Sequence, residues 1–122
     1  MSESIRKDDR SSRRRTASLE VFFRPKSVAV VGATERPGSV GRTVLQNLRS
    51  ANSALPVYAV NPGRETILGH PAHSSVSAIP EFVDLAVIVT PASTVPGVVR
   101  ECGAKGVRGA VIISAGVVET GP

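Results

Sequence analysis

The residues with the clearest chemical potential stand in one run, Gly32-Ala33-Thr34-Glu35-Arg36-Pro37-Gly38-Ser39-Val40-Gly41. Glycines spaced among small and polar residues let a backbone wrap closely round a phosphate. Gly32 allows a sharp departure from a preceding strand, and Gly38 puts no side chain between an anion and the main-chain amides. Gly41 permits close packing of a helix on a sheet. A helix opening near Ser39 would add unpaired N–H groups and partial positive charge, the conditions a diphosphate needs. Without a ligand the same run would be no more than a glycine-rich turn, and its context decides for a nucleotide diphosphate.

The glycine spacing departs from the usual dinucleotide fingerprint, because the insert between the first and second glycines is longer and the loop roomier. A nicotinamide site also tends to place Asp or Glu at the end of the next strand, about 20 residues on, for the ribose hydroxyls. Here that position reads Asn61-Pro62-Gly63-Arg64, with no acid before Glu65. A neutral amide followed by a guanidinium suits a ligand with a phosphate on its ribose. NADP and coenzyme A (CoA) both meet that description.

Other reactive side chains lead less far. His70 and His73 flank Pro71, which prevents a helix from placing them on one face, and no third ligand is near in sequence; they read as ordinary loop histidines. Cys102 reads as a helix-core residue rather than a nucleophile. Asp84 reads as the solvated start of an apolar strand. Ser114 lacks the elbow motif of a nucleophilic serine, so a hydrogen bond to ligand or backbone is the expectation. No metal site is expected.

The elements that must position the loop can be read from period and punctuation. Ser18 caps a predicted short helix through Phe23, closed by Arg24-Pro25. Ser27–Val31 is an apolar run of the kind that forms a strand buried on both faces, and it leads straight into Gly32. Val40, Val44, Leu45 and Leu48 then recur at helical spacing. Pro56–Val60 is a second predicted strand, stopped by Asn61-Pro62-Gly63. A looser segment extends to Pro80, and Val83–Val89 reads as the third strand. Val95 to about Lys105 is a predicted helix, with Pro96 in the first turn and Gly106 at its end. Ala110–Ile113 is the fourth strand. Strands alternating with helices predict an open parallel sheet covered on both faces. The pattern stops at Pro122, where a further helix and strand are expected, so the sheet reads as C-terminally incomplete.

Bulk properties agree. The 122 residues, with 41% hydrophobic and 3% aromatic content, fit one α/β domain. The net charge of +5 is concentrated at the start: residues 1–17 hold six Lys/Arg against three Asp/Glu and show no apolar period. This basic tail is expected to be solvated and disordered, and 18–122 to form the domain. No aromatic residues interleave with Arg13-Arg14-Arg15, so a nucleic-acid platform is not indicated. No segment approaches the ~18 apolar residues of a membrane span. A single cysteine forms no intramolecular disulfide and points to a reducing, cytoplasmic setting.

Val28-Ala29-Val30-Val31-Gly32-Ala33-Thr34, Pro37-Gly38-Ser39-Val40-Gly41, Val60-Asn61-Pro62-Gly63, Thr90-Pro91-Ala92 and Ile113-Ser114-Ala115-Gly116 together resemble the CoA-binding domain of NDP-forming acyl-CoA synthetases. These are relatives of the succinyl-CoA synthetase alpha subunit, and the domain also occurs fused to protein acetyltransferases. The resemblance extends over residues 18–122 and implies a Rossmann-like, three-layer α/β domain with the ligand across the C-terminal ends of the strands. It implies that Thr34, Glu35, Arg36 and Pro37 face the CoA diphosphate, with Gly32, Gly38 and Ser39 around it. Asn61 and Pro62 precede Arg64, which stands where the family has a CoA-contacting lysine; a planar fork replaces a point charge. Thr90 and Pro91 would lie under the nucleotide end, and Ile113, Ser114 and Ala115 near the pantetheine arm. Glu35 departs from the pattern, since relatives often have glycine there, and a carboxylate beside a diphosphate is unfavourable unless it points to solvent.

In that family a phosphorylated histidine in the next domain and a separate ATP-grasp domain carry the acyl transfer. The expected role of this chain is therefore binding without turnover. Its parent would interconvert acyl-CoA, ADP and phosphate with free acid, CoA and ATP. The alternatives are an NAD(P)-binding regulatory or redox domain, a stand-alone CoA-binding module, and the sensor domain of a fused lysine acetyltransferase.

Overall fold

A computed structural model describes residues 20–113. The basic tail, the Ser18 cap, Ser114 and Ala115 lie outside the described residues. A helical turn at 20–23 comes first, with the Arg24 amide donating to the Glu20 carbonyl at 2.7 Å. Next come β1 (Val28–Val31), α1 (Val40–Ala51), β2 (Val57–Val60), β3 (Thr66–Ile67), β4 (His70–His73) and β5 (Leu85–Ile88). A 3-10 turn at Ala92–Thr94 leads into α2 (Val95–Lys105), and β6 (Gly109–Ile112) closes the series.

The strands form one sheet in the order β3-β4-β2-β1-β5-β6, parallel throughout except for the β3–β4 pair. Leaving out β3, the parallel strands run third, second, first, fourth, fifth, which is the Rossmann order. The order reverses at β1: the chain moves to one side through β2 and β4, then returns to the other side at β5.

Register explains the layers. Val28, Val57 and Leu85 stand abreast, as do Val30, Ala59 and Val87, and these rows pack against Val44, Leu45 and Leu48 of α1. The alternate rows, Ala29-Ala86-Ala110 and Val31-Val60-Ile88, face Val95, Val98 and Cys102 of α2 together with Val76, Ile79 and Val83. Period-two alternation thus serves two hydrophobic faces at once, and so the strands are apolar without a break. Of the predicted helical stripe of α1, Val44, Leu45 and Leu48 are the residues that pack on the sheet; Val40, in the first turn, is not among them. Ser39 caps that helix, its hydroxyl accepting from the Arg42 amide at 3.3 Å. Gly106, at φ 89°, ends α2.

Two expectations are corrected. The segment after Gly63 is not merely loose: Thr66–Ile67 and His70–His73 form a hairpin, and β4 extends the sheet beyond β2 through Ala59–Ala72 and Val60–His73. His70 and His73 are therefore strand residues, not loop residues. Pro71 is tolerated because it faces Thr66 at a position that exchanges no ladder bond, while its neighbour Ala72 donates to Glu65 at 2.9 Å.

Asp84 is the second correction. It is 2% exposed rather than solvated. One oxygen accepts from the Lys26 amide at 2.9 Å and the other faces Arg108 at 3.6 Å, so Asp84 ties the entry of β1 to the entry of β6. Ser27 joins the same knot, donating to the Phe82 carbonyl and accepting from the Asp84 amide.

Candidate functional site

The end of β1 and the start of α1 meet through backbone alone. Gly32 leaves the strand at φ 98°, a left-handed conformation that a side chain would strain. A Cβ on Gly41 would collide with the carbonyl oxygen of Gly32, so only glycine lets α1 approach this closely. Between them the loop is braced from within. The Ser39 hydroxyl donates to the Arg36 carbonyl at 2.7 Å, the Arg36 amide donates to Thr34 Oγ1 at 3.2 Å, and Arg42 donates to the Glu35 carbonyl at 2.5 Å. These contacts fold polar atoms back onto the loop and leave its outer side to Gly38. That residue has φ 78°, and among the described residues nothing lies within 4 Å of where a Cβ would stand.

A cleft of about 640 Å³ opens above this loop at the C-terminal ends of β1 and β5, where the strand order reverses. Its walls include Gly32, Thr34, Arg36, Pro37, Gly38 and Ser39 from the loop, Asn61 from beyond β2, and Thr90 and Pro91 from beyond β5. The volume suits a nucleotide-sized ligand. At the first turn of α1, the amides of Val40 and Gly41 have no preceding helical carbonyl to bond, and the axial dipole is positive there. The Thr90 hydroxyl is buried without a hydrogen-bond partner among the described residues, a polar group left over in the cleft wall. Together these features fit a diphosphate.

Asn61 joins the loop to the end of β2. Its side-chain nitrogen donates to the Ala33 carbonyl at 2.9 Å, and its side-chain oxygen accepts from the Gly63 amide at 2.8 Å. Pro62 and Arg64 line a neighbouring hollow of about 590 Å³ with Ala72, His73 and Ser74. His73 meets Tyr58 edge-on at 5.9 Å. The Tyr58 phenol is held above its usual range, first by burial and then by the Glu81 carboxylate, so it stays protonated near neutral pH. Among the described residues no group of three or more His, Cys, Asp or Glu side chains could hold a metal ion.

The cleft thus gathers nine of the residues marked from the sequence. Pro62 and Arg64 stand next door, and Glu35 turns towards Arg64 and Leu68 instead of into the cleft. Ile113 packs on the α1 side of the sheet, against the cluster that contains Val28, Leu85 and Val87. Val40, Gly41 and Val89 also line the cleft but were not singled out as ligand contacts, although their place beside Ser39 and Thr90 was signal enough.

An open parallel sheet in Rossmann order, with a glycine-rich loop and helix N-terminus at its switch point, defines a nucleotide-binding α/β domain. Residues 26–120 match the CoA binding domain family, and the chain belongs to it. It is 54% identical over 103 residues to an ADP-forming acetate–CoA ligase (I) of Archaeoglobus fulgidus, covering 84% of this chain and 15% of that protein. It is 46% identical over 108 residues to the alpha subunit of an ADP-forming acetate–CoA ligase (I) of Pyrococcus furiosus, covering 85% of this chain and 23% of the subunit. Among solved structures, the dinucleotide forming acetyl-coenzyme A synthetase 1 of Ca. Korarchaeum cryptofilum superposes with a TM-score of 0.76 at 41% identity, over 84% of this chain and 22% of that one. The chain therefore spans less than a quarter of each of these relatives. The nicotinamide alternative finds no support among them.

Proposed function

We propose that this chain holds coenzyme A in the cleft above Gly38, as the CoA-binding domain of an ADP-forming acid–CoA ligase. The observation that carries this reading is the open glycine at the mouth of α1, in a chain that belongs to a CoA-binding family. Thr34, Arg36, Pro37, Gly38 and Ser39 would surround the diphosphate, with the amides of the first turn as donors. Asn61 and Pro62 would border the ribose, and Arg64 would reach its phosphate. Thr90 and Pro91 would lie under the nucleotide end, the Thr90 hydroxyl gaining a hydrogen-bond partner there. Ile113, Ser114 and Ala115 would lie towards the pantetheine arm.

The bound thiol supplies the acceptor for an acyl group; the residues of this chain bind and orient. Acyl transfer would fall to further domains or a partner subunit carrying the phosphorylated histidine and the ATP-grasp function. The short span relative to the ligases supports that division. Within the chain, residues 18–122 would form the domain and 1–17 a basic tail. Among the described residues no helix is long and apolar enough to cross a membrane, and a single buried thiol fits a cytoplasmic setting.

Calorimetry with CoA, dephospho-CoA, NAD and NADP tests the proposal. CoA should bind most tightly. Arg64→Ala should weaken CoA by about tenfold, as expected for a charge-assisted contact, and dephospho-CoA by much less. Equal losses for both ligands would remove Arg64 from the phosphate role, and tighter binding of NADP would overturn the assignment.

A further inference from the structure

The hairpin between β3 and β4 turns through Leu68 and Gly69, both with positive φ, at 51° and 79°. Such a two-residue turn normally has Asn or Asp at its first position, and a leucine there costs about 1 kcal/mol or more in backbone strain. The turn is held from outside. The Leu68 amide donates to Glu35 Oε2 at 2.6 Å, across 33 residues of sequence. The other oxygen of the same carboxylate, Oε1, lies 3.6 Å from the Arg64 guanidinium. Glu35 is itself fixed, because Arg42 of α1 donates to its carbonyl. One side chain thus links the phosphate loop, the hairpin and the cation beside the cleft.

We propose that Glu35 is a positioning and specificity-determining residue, acting through Arg64 rather than touching the diphosphate; this rests on the CoA reading above. The carboxylate anchors the hairpin and occupies the guanidinium when no ligand is bound. A neutral ribose hydroxyl cannot compete with a carboxylate for that guanidinium. A phosphate monoester, carrying close to two negative charges, can. A ligand without the ribose phosphate leaves the Glu35–Arg64 contact in place, whereas one that has it must break that contact, so the carboxylate lowers affinity for the phosphorylated ligand alone. The side chains are 51% and 35% exposed for Arg64 and Glu35, so solvent screens the pair and the competition is modest.

Glu35→Gln keeps a carbonyl oxygen for the Leu68 amide and removes the charge, whereas Glu35→Ala removes both. The expected result for Glu35→Gln is an affinity for CoA about threefold higher, with dephospho-CoA unchanged, and no change in that ratio when Arg64→Ala is already present. Glu35→Ala should also speed hydrogen exchange at the Leu68 amide in ligand-free protein. An unchanged or lowered ratio of CoA to dephospho-CoA affinity in Glu35→Gln overturns the specificity role, and unaltered Leu68 exchange in Glu35→Ala overturns the anchor. A wild-type chain that binds no CoA refutes the underlying reading instead, and the exchange measurement still decides the anchor.

Discussion

At the scale of single residues, the glycines of the loop divide between packing and access. Gly41→Ala sets a methyl group against the backbone oxygen of Gly32, which has little freedom to yield. The expected loss of stability is about 1–3 kcal/mol, the range for an overpacked contact, read from urea denaturation. Gly38→Ala meets no neighbour and should cost only about 1 kcal/mol for its left-handed backbone. Its methyl group would stand in the cleft mouth, so CoA affinity should fall even where the protein is fully folded. If Gly38→Ala binds CoA as well as the wild type, the diphosphate does not approach that amide. These positions were legible in the sequence, because glycine at a strand-to-helix junction has few other uses. The role of Glu35 was not, since its partners Arg64 and Leu68 are brought to it by the hairpin rather than by chain proximity.

At the scale of elements, six of the eight main helices and strands could be read from apolar period and from the Gly, Pro and Asn residues between them. The two that could not are β3 and β4. β3 is two residues long, and the His-Pro-Ala-His of β4 has none of the β-branched character that marks a strand. Its conformation comes from the edge that β2 offers, a tertiary cause with no local trace. Asp84 is similar: its burial depends on the Lys26 amide, 58 residues earlier, and on Arg108. Removing that carboxylate in Asp84→Ala would leave the Lys26 amide without its acceptor and Arg108 without its counter-charge. A destabilisation of about 3 kcal/mol is expected by chemical denaturation, and a change under about 0.5 kcal/mol would refute the clamp.

The core side of α2 gives a pH test. Cys102 is buried, and its thiol is held above 9.0, first by burial and then by the Glu101 carboxylate. The folded protein therefore disfavours the thiolate more than the unfolded chain does. This contribution to stability is fully present below the unfolded value near 9.0 and is lost as pH rises through the higher folded value. The urea midpoint should fall as pH rises above about 9.0, and less so in Cys102→Ala. A midpoint falling equally in both proteins would mean that Cys102 does not contribute.

At the scale of the whole molecule, the chain covers 15–23% of the ligases it resembles. Its described portion contains the sheet, the loop and the cleft, and the proposed function leaves acyl transfer to further domains or a partner subunit. With acetate, CoA and ATP supplied together, the isolated chain should form acetyl-CoA no faster than the uncatalysed mixture. A rate above that background would show that the division between binding and chemistry is drawn in the wrong place. The α/β class was accessible from sequence because apolar runs locate the strands and glycines the loop, whereas the Rossmann order follows from which strands pair, beyond what the apolar pattern shows. The boundary of the cleft was less so, because it is assembled from three loops that meet only at the switch point.

The most direct test of the central claim is an amide chemical-shift titration of the chain with CoA. The largest changes should fall on the backbone amides of Arg36, Gly38, Ser39, Val40, Gly41 and Thr90, with smaller ones at Arg64 and along the hairpin. Saturation with shifts confined to other surfaces, or no shifts at millimolar CoA, would contradict the account.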